Sequence, residues 1–162
     1  MLQTPLSNKK NQKGSLLVEI VIVAGIIVGS LVAILGLAAF FLTTSRIVQQ
    51  TSQATALAQE TLEIARNVRD GAGWAAIITG GPYHPEQSGS PAAWILASGV
   101  EAVGNFTRQI MFEGVYRDAS DNISSSGTLD PDTIKAIVQV TWQERERNHQ
   151  VEFSAYFTNW QQ

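Results

Sequence analysis

The sequence predicts an α+β protein: one long N-terminal helix, transmembrane in its first half, packed by its second half on an antiparallel sheet of about 3–5 strands. Three observations predict it. An apolar run follows a short basic stretch and extends from Leu16 to Leu42. Apolar residues then recur every three or four positions as far as Val68. Beyond Asp70, turns rich in glycine and proline separate segments that alternate every second residue.

The 162 residues suffice for one domain and an anchor. Lys9, Lys10 and Lys13 form a basic stretch like the start of a secretory signal. The apolar run is too long for a signal core of roughly 7–15 residues, and no small-x-small site follows it. From Ile20 to Leu42 no residue is charged. At about 1.5 Å per residue this stretch spans roughly 35 Å, against about 30 Å for a bilayer core. The positive-inside bias keeps the three lysines in the cytoplasm and sends the C-terminal part outward.

Glu19 departs from a plain anchor. A carboxylate near the end of a membrane helix costs on the order of 2–3 kcal/mol when deeply buried, and it needs a partner. Were the chain cut after Gly14, the new α-amine of Ser15 would lie four residues before Glu19. A neighbouring copy presenting its amine at that depth would neutralise two costly charges and set the axial register between helices.

Basic residues, Gly14, a five-residue stretch ending at Glu19 and an apolar helix together resemble the cleavage and methylation site of type IV prepilins and type II secretion pseudopilins. The resemblance implies a pilin-like fold, cleavage of the Gly14–Ser15 bond, N-methylation of Ser15 and a role for Glu19 in assembly. It implies as partners a prepilin peptidase and methyltransferase, other pilin or pseudopilin subunits, an inner-membrane assembly platform and membrane lipid. Ser15 is a departure, since the family most often has phenylalanine there. On this reading residues 1–14 are a leader, 15–42 the transmembrane helix, 43–70 its amphipathic extension and 71–162 a globular β-rich head. Removing the leader deletes three lysines and no acid, which takes the formal charge from −3 to −6. With no Lys/Arg cluster in the remainder, nucleic acid is not an expected partner.

Gly25, Gly29 and Ala33 recur every four residues and place small side chains on one helix face, where helices can approach closely in lipid. Such spacing is also common by chance. Gly36 lies where many pilins carry a helix-bending residue, and the resemblance implies local loosening there on assembly. Ile47, Thr51, Ala54, Ala58, Leu62, Ala65 and Val68 then form one apolar stripe, widened by Leu57, Thr61 and Ile64. Arg66 and Arg69 suit the helix C-terminus, and Asp70-Gly71 supplies the stop.

In the head, Trp74 to Ile78 predicts a short helical turn, and the segments around Tyr83 and Trp94-Ile95-Leu96 a hairpin. Trp74, Tyr83 and Trp94 are expected to pack in the core or on the sheet. Phe106–Tyr116, Ile134–Gln143 and Val151–Phe157 alternate with one apolar face, as strands of a half-buried antiparallel sheet do. Arg117–Asp132 is expected as a long polar connection and Glu144–Gln150 as a charged turn. Strand number, the Arg117–Asn122 loop and the closing Asn159-Trp160 resemble minor pilins and minor pseudopilins. The absence of a cysteine-closed C-terminal loop also points to a minor subunit.

Cysteine is absent, which excludes a disulfide framework and a thiol nucleophile. His84 and His149 have no metal-ligand spacing and are expected on the surface. No phosphate loop or nucleophile elbow emerges. Asp118, Asp121, Asn122, Asp130 and Asp132 give one loop many oxygens, but their spacing is not that of an EF-hand, and solvated turn residues are the expectation. The sequence therefore predicts no catalytic residue, no metal site, no cofactor and no enzyme. Two rivals to the filament subunit are a non-polymerising single-pass membrane-anchored extracytoplasmic binding domain and an exported enzyme with an unusual signal.

Overall fold

A computed structural model describes residues 12–160, with side chains from residue 16 onward. The chain divides into two units, Met1–Val48 and Gln49–Gln162, and helix α1, Gln12–Ala72, contributes to both. No proline interrupts α1, and Gly36 leaves it unbroken. It stops where Gly73 turns to φ 88°, a conformation that costs glycine little, with the Gly73 N–H donating to the Arg69 carbonyl (3.0 Å).

Within the second unit α1 packs on a seven-stranded antiparallel sheet. The strands are β1 (Gly80–Ser88), β2 (Ala93–Ser98), β3 (Glu101–Val103), β4 (Phe106–Arg117), β5 (Ile123–Ser124), β6 (Thr128–Glu144) and β7 (Arg147–Thr158). The main path runs β2-β1-β4-β6-β7, and the short β3 and β5 pair with the two ends of β4. The α+β class and the helix-on-sheet layering expected from the sequence are thus present, with seven strands where about 3–5 were expected, the short β3 and β5 being added at the two ends of β4.

The core follows from two periodicities meeting. The helix supplies Ala54, Ala58, Leu62, Ala65 and Val68 at steps of three and four. The sheet supplies Phe106, Ile110 and Phe112 from β4, Val138, Val140 and Trp142 from β6, and Phe157 from β7. Ala54, Ala58 and Ala65 are wholly buried, and their small size brings the helix close to the sheet. Thr61 is buried too, with its hydroxyl satisfied by the Leu57 carbonyl (2.7 Å).

Several expectations need correction. The buried stripe starts at Ala54: Thr51 is exposed and Ile47 half-buried. Near that end the sheet meets the helix through Trp142, whose indole N–H donates to Gln50 (3.2 Å). Trp94 is not a core residue, because β2 is an edge strand and leaves the indole exposed. The histidines are half-buried: His149 stacks on Trp142 with ring centroids 5.4 Å apart. The Glu144–Gln150 turn shrinks to Arg145 and Glu146, at φ 45° and 65°, and the flanking residues extend β6 and β7. Arg117–Asp132 is not one connection, since it holds β5 and the start of β6, both paired to the end of β4.

Ion pairing and turn chemistry, rather than burial, order that last segment. The Arg117 guanidinium donates to the Asp130 carboxylate (2.7 Å) and the Asp121 carbonyl (2.8 Å). The Asp118 carboxylate accepts the N–H groups of Ser120 (2.8 Å) and Asn122 (3.0 Å). Gly127, at φ 141°, is required, because a Cβ there would run into the Arg117 carbonyl.

Candidate functional site: the apolar helix and its carboxylate

From Leu16 to Leu42 every side chain of α1 is exposed, and none of the apolar window is covered by protein. This helix is long and apolar enough to cross a membrane. Two of its hydroxyls in and beside the apolar run are satisfied internally. The Ser30 hydroxyl donates to the Ile26 carbonyl (2.8 Å) and the Thr43 hydroxyl to the Ala39 carbonyl (3.1 Å). These bonds remove the cost of placing a hydroxyl in hydrocarbon. The remaining polar side chain of the run is Glu19, its one charged residue.

Glu19 lies on a face shared with Leu16, Ile20, Val23 and Ile27. Among the described residues it forms no ion pair and no side-chain hydrogen bond. Gly14 and Ser15 fall in the first turns of α1. The leader positions before Gln12, and the side chain of Ser15, lie outside the described residues. Gly25, Gly29 and Gly36 have open space where a Cβ would stand, so no contact within the chain requires glycine there. Ala33 is exposed alongside them. The small face is therefore free to receive another surface.

Sequence reasoning passed over a charge in the head's core. Arg108 is 5% exposed on the helix-facing side of β4. Its Nε donates to Glu101 of β3 (2.5 Å), and its Nη1 lies 3.5 Å from Glu60 of α1. The Glu60 contact is an ion pair without hydrogen-bond geometry, which leaves Nη1 without a hydrogen-bond partner among the described residues. The signal was available: the alternation of β4 puts Arg108 between Phe106 and Ile110 on the apolar face, where a guanidinium requires a carboxylate.

The acidic loop has an internal use. Donation from Arg117, then the Thr133 side chain and the Asp132 N–H, pulls the Asp130 carboxyl down to about 2. The N–H groups of Asn122 and Ser120 lower Asp118 in the same way. These carboxylates thus act as turn and ion-pair acceptors.

Comparison with protein-family models, curated proteins and solved structures finds no match to this chain.

Proposed function

We propose that this chain is a minor structural subunit of a type IV pilus or a type II secretion pseudopilus, processed after Gly14, N-methylated on Ser15 and assembled through its N-terminal helix. The observation that carries the reading is the fully exposed Leu16–Leu42 helix, with Glu19 as its sole charge at a fixed distance after a basic stretch and a glycine. A tether needs only the apolar run. A carboxylate at that position gains nothing from lipid, but it gains much from an amine on a neighbouring helix. The small face at Gly25, Gly29 and Ala33 offers close helix contact in the same bundle. The second unit contributes the head, which the lysine-rich N-terminus orients away from the cytoplasm.

Mass spectrometry of the mature protein from its native host tests the reading. An N-terminus at methylated Ser15 is expected, and Gly14→Val should block the cut because the peptidase must accept a residue almost free of side chain. A mature chain that begins at Met1 overturns the proposal and leaves a membrane-anchored extracytoplasmic binding domain.

A further inference from the structure

The face of β4, β6 and β7 turned away from α1 carries mostly neutral polar side chains, with Glu152 beside Gln139 in register and Glu113 paired to Lys135. At one end a groove of about 510 Å3 is lined by Asn105, Thr107, Thr141, Gln143, Asn148 and Gln150 together with the stacked Trp142 and His149, with no Asp, Glu, Lys or Arg in its wall. Next to it the amides form a chain: Gln109 Nε2 donates to Gln139 Oε1 (2.8 Å), and Gln139 Nε2 donates to Gln150 Oε1 (3.3 Å). Each amide is oriented by its neighbour. The chain leaves the Gln109 carbonyl oxygen and the Gln150 amino group unused at its two ends.

A second groove, of about 660 Å3, opens at the other end of the same three strands. Tyr116 and Tyr156, 41% and 50% exposed, line it together with the hydroxyls of Ser124 and Ser125. Its charges, Lys135 and Glu113, face each other at 3.9 Å and cancel. In register, the row Thr107–Thr141–Gln150 lies six residues along each strand from the row Glu113–Lys135–Tyr156. At about 3.3 Å per residue that separation is roughly 20 Å.

The geometry points to a binding surface for a neutral, linear polysaccharide on this face. Amides and hydroxyls both donate and accept, as sugar hydroxyls do. The exposed tyrosine rings offer flat apolar faces with a polar tip, suited to the C–H face of a pyranose. An ionic ligand would lose hydration in the first groove without gaining a counter-charge. Nucleic acid would need basic residues, and the only Lys or Arg in either groove is the paired Lys135. The two grooves, on one face and about 20 Å apart, fit a chain-like ligand better than a small molecule. This inference does not depend on polymerisation and is tested without filaments.

The test uses the full chain in a detergent without a sugar headgroup, applied to immobilised dextran, amylose, mannan, galactan and, as an anionic control, alginate. Binding to at least one neutral polymer is expected, unchanged between about 50 mM and about 500 mM salt, since the ligand carries no charge to be screened. Tyr156→Ala and Gln150→Ala should each weaken binding by about tenfold. Trp94→Ala on the far edge strand should leave it unchanged. Gln150→Ala decides the matter should Tyr156→Ala lose its fold by circular dichroism. Failure to bind any neutral polymer, binding to alginate alone, loss of binding in high salt, or full binding by folded Gln150→Ala overturns the proposal.

Discussion

Replacing Glu101 with glutamine removes the nearest counter-charge of a guanidinium that is almost wholly inside the head. In the native head Arg108 Nε sits 2.5 Å from Glu101, and Glu60 lies a further ångström out at 3.5 Å. Breaking a buried ion pair by removing one partner costs about 3–5 kcal/mol. Glu101 is 32% exposed, so solvent screening reduces this to about 2–3 kcal/mol. Arg108→Met behaves differently. It replaces the charge with an apolar chain of similar length and leaves Glu101 partly in water, so it should fall within about 1 kcal/mol of the parent. The Glu101→Gln, Arg108→Met double variant should match Arg108→Met, because the glutamine then faces no charge. Urea unfolding of the fragment 43–162, followed by tryptophan fluorescence, reads all three. A loss of 2–3 kcal/mol lowers the midpoint by on the order of 1 M or more. Should Arg108→Met prove the least stable, or Glu101→Gln unfold with the parent, the guanidinium is held by its packing and the charge argument fails.

The same fragment should be soluble and monomeric, and Leu62→Asp should unfold it, since a buried unpaired carboxylate costs several kcal/mol; an equally stable variant by circular dichroism would mean that the stripe faces solvent. The Asp130 carboxyl is depressed in the folded state, so its contribution is complete above pH about 4 and is lost as pH falls toward 2. Asp130→Asn should therefore lower stability at pH 7 and flatten the acid limb of the unfolding curve between those values, as thermal melts across pH would show. Glu19→Ala should still be cleaved and membrane-bound yet be missing from sheared filaments, and Glu19→Gln separates charge from shape. Both variants in filaments at native levels, by immunoblot, would reduce the anchor to a hydrophobic tether.

What could be read from the sequence was whatever burial writes into it. Ile134, Ala136, Val138, Val140 and Trp142 alternate because one face of β6 meets the helix, and Ala54 to Val68 step by three and four for the complementary reason. Elements held by other forces left no such pattern. Strand β5 and the start of β6 carry Ile123 and Leu129 exposed, and the ion pairs of Arg117 organise them. The β6–β7 turn uses Arg145 and Glu146 in left-handed conformations, without the glycine or asparagine that marks a two-residue turn. Arg108 was visible as an inward residue, but its partners come from β3 and α1, and that meeting is a product of the fold. Glu19 was legible because a single charge inside an apolar run stands out without tertiary knowledge.

The two portions of α1 solve opposite problems with one secondary structure. Past Gln49 the helix buries a stripe, and its polar groups are exposed, paired or bonded to the backbone. From Leu16 to Leu42 it buries nothing, and the Ser30 hydroxyl turns to the carbonyl four residues back. Glu19 has no such recourse, because a carboxylate accepts and the carbonyls of a helix also accept. The next cation along the chain is Arg46, 27 residues on and about 40 Å away along the helix. A counter-charge must therefore come from the N-terminal side or from another molecule, and processing would provide one. An uncut chain has a neutral peptide N–H at Ser15, whereas a cut chain has an amine about 6 Å before Glu19 along the axis. On the proposed function, the cut would create the cation that a second copy's carboxylate needs on entering the bundle. Gly14→Val, left uncut, and Glu19→Ala, cut but without its acid, should then both be missing from filaments, one lacking the amine and the other the carboxylate.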